Sequence, residues 1–296
     1  MNPVFTGACK SFPLGGAPLC AQDMVARQWH LLADDLAYPL AVLQRTSLMH
    51  NLAWMQDYAR AKGVQLAPHG KTTLSPELFH MQLEAGAWGL TFATIFQLGI
   101  GVGAGVRRAI IANQVLSPAD LAGLRHLLQA HPGLQVWFLV DSLAQLRLIE
   151  QWFASQPPGQ PFDVLLEIGV AGQRTGCRTR TEALALAQAM GRSPAVRLCG
   201  LECYEGTAAQ CDNDQDVAAV SDLVRRVLEI AHSCDAQRLF ASDTLLLTAG
   251  GSAVFDLVLP LLSGAKLSKP VQGVLRSGCY ITHDHGHYRR YLQLLE

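Results

Sequence analysis

Short, nearly unbroken apolar runs alternate along this chain with longer stretches whose apolar residues recur every three to four positions. The runs fall at residues 65–68, 89–93, 108–112, 135–140, 163–168, 197–203, 245–249 and 272–275. Continuous apolar character over such short runs predicts strands covered on both faces, as in a parallel sheet. The intervening stretches predict helices, clearest at residues 75–85, 118–130, 142–153 and 216–232. A further short strand is expected at residues 39–44, ahead of a helix capped by Thr46 that carries Leu48, Leu52, Met55 and Ala59 on one face. Residues 1–37 lack this rhythm and predict an irregular extension with a short helix within residues 21–32.

Eight strands alternating with helices predict an α/β fold, a (β/α)8 barrel over residues 38–296. A doubly wound open sheet is the alternative. The barrel is preferred because glycines and ionisable residues gather just after the strands. In a barrel those positions share one mouth, where active sites are built.

Composition narrows the function. Of 296 residues, 50% are hydrophobic and 16% charged, enough for one large core. The net charge is −1, with no basic stripe or acidic tail, which argues against nucleic acid or an anionic membrane as partner. The N-terminus lacks the basic-then-apolar order of a secretory leader. Eight cysteines are scattered without a C-x-x-C pair, which predicts reduced thiols in a cytoplasmic protein.

The candidate chemistry sits at five strand ends. The first strand runs into Pro68-His69-Gly70-Lys71-Thr72. A lysine at a buried strand end is costly unless its amine is used, and a Schiff base to pyridoxal phosphate is the usual use. The fifth strand leads to Gly172-Gln173-Arg174-Thr175-Gly176, where the planar fork of Arg174 suits a carboxylate or a phenolate oxygen. After the sixth strand, Tyr204 is placed to stack on an aromatic ring. After the seventh, Gly250, Gly251 and Ser252 offer amides suited to a phosphate. After the eighth, Arg276, Gly278, Cys279 and Tyr280 form a second such cradle. Each signal alone is common; their convergence is the inventory of a pyridoxal phosphate site.

In this order the motifs resemble the alanine-racemase-like fold of pyridoxal phosphate enzymes, and within it the D-serine dehydratase and D-threonine aldolase branch. The sharpest match is Pro68-His69-Gly70-Lys71-Thr72. The resemblance implies that Lys71 holds the cofactor as a Schiff base and moves a proton at the substrate Cα. It implies Arg174 near the cofactor phenolate oxygen and the substrate carboxylate, Tyr204 against the ring, and Gly250, Gly251, Ser252, Gly278 and Cys279 around the phosphate. His69 is expected in the cofactor pocket. Arg276 resembles the racemase arginine facing the pyridine nitrogen, where a cation keeps that nitrogen unprotonated.

The implied function is D-serine dehydration to a keto acid and ammonia, by a homodimeric enzyme acting on small D-amino acids with a β-hydroxyl. The alternatives are retro-aldol cleavage of D-threonine and a non-catalytic single-domain cofactor carrier. Family members carry a β domain after the barrel with ligands for a divalent, zinc-like metal. The sequence ends at Glu296 without a counterpart of those ligands, so weak turnover is expected. His283, Asp284, His285 and His287 cluster near that end but are expected to diverge rather than to bind metal.

Overall fold

The computed structural model describes residues 4–206, 208–209, 213–286 and 289. The chain divides into two compact units, residues 1–48 and 49–296. In the first, Val4–Phe5 pairs antiparallel with Leu19–Cys20, followed by a helix at Ala21–Ala26 and a single 3-10 turn at Leu31–Ala33. Phe12 packs its ring edge-on to Trp29. The strand expected at residues 39–44 is not formed. No strand among the described residues pairs with it, so its apolar residues have no sheet to join: Val42 and Leu43 are each 55% exposed. It is therefore not the bare sheet edge that an unpaired strand would present.

The first long helix, α1 (Arg45–Ala61), begins before Thr46, which lies in its first turn rather than capping it. Its Leu52, Met55 and Ala59 are buried, as the spacing predicts.

The second unit is a parallel barrel. Its strands are β1 (Gln65–Leu66), β2 (Leu90–Phe92), β3 (Arg108–Gln114), β4 (Gln135–Val140), β5 (Phe162–Ile168), β6 (Val196–Cys203), β7 (Leu245–Ala249) and β8 (Val271–Leu275). They lie in the order β1-β8-β7-β6-β5-β4-β3-β2, every pair parallel. The two ends of this row meet: Trp88 N–H donates to the Leu66 carbonyl at 2.8 Å and Thr91 N–H to the Pro68 carbonyl at 2.9 Å. β1 is short because Pro68 has no N–H to extend the ladder.

Between the strands run α2 (Pro76–Glu84), α3 (Ile95–Gly103), α4 (Pro118–Ala130), α5 (Leu143–Ala154), α6 (Arg180–Arg192), α7 (Asn213–Ala236) and α8 (Leu259–Gly264). Ser75, Thr94, Ser117, Ser142 and Thr179 start α2 to α6, each accepting a backbone N–H of the first turn on its hydroxyl. No helix among the described residues is long and apolar enough to cross a membrane.

Side chains alternate across each strand. Outward residues such as Leu66, Ile111, Phe138, Val164, Leu247 and Leu275 pack under the helices in the main core. Inward residues Ala67, Ile110, Trp137, Leu139, Leu165, Cys199, Leu246 and Val274 fill the barrel interior, with Trp88 against them. The upper ends of the strands carry polar inward residues instead, and these build the site.

Candidate active site

Lys71 sits in a 3-10 turn, Gly70–Thr72, directly after β1. His69 precedes this turn, and its Nδ1 accepts the Lys71 backbone N–H at 3.4 Å. Burial lowers the Lys71 amine from its ordinary value, and the Arg174 and Arg276 cations lower it further. Burial, with Lys71 and Arg276 nearby, also holds His69 well below the usual imidazole range, so it stays neutral.

Across the mouth, the Arg174 guanidinium lies 4.9 Å from the Tyr204 ring centroid, a cation–π contact. The turn bearing Arg174 is held by a residue the sequence did not single out. Arg178 donates through Nη1 to the Val170 and Thr175 carbonyls at 2.9 and 2.6 Å, and through Nη2 to that of Gln173 at 2.9 Å. Glu167, at the top of β5, accepts from the Thr175 hydroxyl at 2.6 Å and from the Gln114 side chain.

The floor is ionic. Arg276 donates to Glu202, to the Thr248 hydroxyl at 2.9 Å and to the Cys203 carbonyl at 3.1 Å. Burial raises the Glu202 carboxyl above its ordinary value, while the Arg276 cation pulls it back down. The second carboxylate oxygen of Glu202 is enclosed and has no partner.

The turns after β7 and β8 complete the cleft. Ser252 Oγ accepts the Cys279 N–H at 3.1 Å, which ties the two turns together. Gly278 approaches the first strand end closely: a Cβ there would lie 2.5 Å from the His69 carbonyl oxygen and 2.8 Å from its nitrogen. Only glycine allows that approach.

His69, Lys71, Arg174, Tyr204, Gly250, Gly251, Ser252, Arg276, Gly278 and Cys279 therefore line one cleft, joined by Thr72, Ala112 and Glu202. Tyr280 is not among its lining residues; its hydroxyl accepts from Gln82 at 3.2 Å, and burial pushes that hydroxyl up to about 12. His283 and His285 do not diverge as expected: the segment is not a strand, and the two rings stand edge to face with centroids 4.6 Å apart, while His287 lies outside the described residues. Sequence reasoning passed over Glu167, Glu202 and Glu205 as chemistry, although an acid inside or just after an apolar run is itself a signal.

The cleft is narrow, with a cavity volume of about 70 Å³. An amine with a lowered pKa, a guanidinium on a tyrosine face, an unpartnered buried carboxylate oxygen and a glycine that no Cβ can replace all point into it or shape it. This set fits pyridoxal phosphate: Lys71 for its aldehyde, Tyr204 for its ring, Arg174 for its phenolate oxygen and the β7 and β8 turns for its phosphate.

Comparison with known proteins identifies the family of this chain. Residues 43–260 match the family model described as alanine racemase, N-terminal domain. The chain is 31% identical over 218 residues to the D-threonine aldolase of Arthrobacter sp, covering 74% of this chain and 56% of that protein. It is 30% identical over 190 residues to the D-threo-3-hydroxyaspartate dehydratase of Delftia sp. (strain HT23), covering 63% and 48%. The solved D-threonine aldolase from Filomicrobium marinum superposes with a TM-score of 0.72 at 26% identity, covering 87% of this chain and 65% of that one. The chain spans about half the length of the curated relatives it matches. It belongs to the alanine racemase N-terminal domain family, in the D-amino-acid branch of D-threonine aldolases and 3-hydroxyaspartate dehydratases.

Proposed function

We propose that this barrel binds pyridoxal phosphate and serves a lyase reaction of D-amino acids that carry a β-hydroxyl. The observation that carries the reading is Lys71: an amine of lowered pKa at the mouth of the barrel, with Arg174 and Tyr204 facing it across one cleft.

The bound cofactor supplies an electron sink for charge that develops at the substrate Cα. The chain does the rest. Lys71 anchors the cofactor, and its amine, whose pKa burial and the Arg174 cation lower, can take the Cα proton on Nζ. Arg174 orients a carboxylate or phenolate oxygen through its planar fork, while its contact with Tyr204 fixes the plane of that fork. Neutral His69 adds no positive charge beside Lys71, so the lysine is not further acidified from that side.

D-Serine dehydration and D-threonine cleavage share the Lys71 anchor and the Arg174 contact but differ in the bonds broken: dehydration removes the Cα proton and breaks Cβ–O, whereas cleavage leaves the Cα proton in place, takes the proton of the β-hydroxyl and breaks Cα–Cβ. Similarity to both an aldolase and a dehydratase supports both reaction types. Adding the cofactor to purified protein should give a visible absorption band, and borohydride should fix the label to the Lys71 peptide. A protein that stays colourless, or labelling at Lys62 instead, would overturn the reading. Glycine with acetaldehyde from D-threonine, or ammonia with a keto acid from D-serine, then distinguishes the two reactions.

A further inference from the structure

The cofactor reading puts a phosphate between the turns after β7 and β8, and the inference below rests on that reading. Gly250 and Gly251 have little left to offer such a group. The Gly250 N–H donates to one Glu205 carboxylate oxygen at 3.1 Å, and the Gly251 N–H to the other at 2.5 Å. Their carbonyls accept from the Ser277 hydroxyl at 3.3 and 2.9 Å. All four backbone polar groups of these glycines are thus engaged by Glu205 and Ser277.

Beyond them, the Cys279 N–H is spent on Ser252 Oγ. The backbone amides of Ser252 and Gly278 have no acceptor among the described residues, and both residues line the cleft. The Ser252 hydroxyl, while accepting from Cys279, keeps its own proton to donate. These donors can meet a phosphate; the glycine amides cannot do so while Glu205 holds them.

Glu205 is fully enclosed, at 0% exposure, directly after Tyr204 at the end of β6. A carboxylate and a phosphate repel, so the phosphate takes the face of the turn away from Glu205. The turn is pressed against this side. A Cβ on Gly251 would lie 2.8 Å from the Tyr204 ring and 3.4 Å from Glu205. Gly250 holds φ at +97°, with the Leu275 side chain where a Cβ would stand.

We propose that Glu205 is a positioning residue for the phosphate cup: its carboxylate grips the back of the turn at Gly250 and Gly251, and so sets the Ser252 donors opposite the Gly278 amide. What matters is acceptance of two N–H groups, not contact with the cofactor. Glutamine, which keeps one acceptor, should therefore rescue part of the effect.

The test compares pyridoxal phosphate with pyridoxal, titrated into the full chain and read by visible absorbance. In Glu205→Ala, affinity for pyridoxal phosphate should fall by about tenfold or more, while affinity for pyridoxal changes by less than about twofold. Glu205→Gln should lose about threefold for the phosphorylated form alone. A packing defect would weaken both ligands equally, and that result would overturn the proposal. So would an unchanged preference for the phosphorylated form in either variant. If the alanine variant does not fold, the glutamine variant decides by the same ratio. Failure of the natural protein to bind either ligand would instead remove the cofactor reading, and the Glu205 proposal with it.

Discussion

Arg276 and Glu202 form an ion pair inside the barrel mouth, with side chains only 4% and 1% exposed. Buried pairs gain little over an apolar substitute, but breaking one leaves a charge without compensation. Here the burden would fall on Glu202, whose second oxygen already lacks a partner.

Arg276→Leu should therefore destabilise the fold by about 3–5 kcal/mol. Glu202→Gln keeps an acceptor for Arg276 and should cost about 1 kcal/mol. Urea unfolding of both variants checks this; equal losses would show that the pair does not act through Glu202 burial.

Gly278→Ala places a methyl against the His69 backbone, which belongs to a neighbouring strand end rather than a movable side chain. Overpacking of this kind costs about 1–3 kcal/mol and should also part the turns that meet there. Gly99→Ala, in α3 with nothing within 4 Å of the new methyl, should instead stabilise by about 0.5–1 kcal/mol. Paired denaturation curves should move in opposite directions.

His69 stays neutral in the fold, because burial and the cations of Lys71 and Arg276 hold its pKa well below 6.5. Unfolded, it takes up a proton near the ordinary value. Its contribution to stability is fully present above that value and is lost as pH falls through 6.5 toward the lowered folded value. His69→Gln should therefore lose less stability than the natural protein between about pH 6.5 and 5. Parallel urea midpoints across that range would contradict the assignment.

Arg178→Ala removes the donor to the Val170, Gln173 and Thr175 carbonyls and should cost about 1.5–3 kcal/mol. Because those carbonyls flank Arg174, limited proteolysis should cut this turn faster in the variant. An unchanged cleavage rate would show that other contacts hold it.

Much of this was legible in the sequence because the barrel repeats one simple rule. β4 and β7 fall at the predicted bounds, since each is an apolar run ended by a polar or glycine residue. Residues 39–44 show the limit of that rule: an apolar run is a strand only where a neighbour pairs with it. The lining of the cleft by Lys71, Arg174 and Tyr204 could be anticipated from their places after strands. The roles of Arg178 and Glu205 could not, because they depend on carbonyls and amides that converge only once the turns fold. Residue type gives no sign that Gly250 and Gly251 face an internal carboxylate.

The inward layer of Trp137, Leu139, Leu165, Leu246 and Val274, with Trp88 tilted 5.4 Å from Trp137, closes the barrel beneath the ionic floor. Among the described residues this layer packs the barrel interior below the cleft, which leaves the mouth as the approach. A small molecule bound there would leave by the opening through which it came.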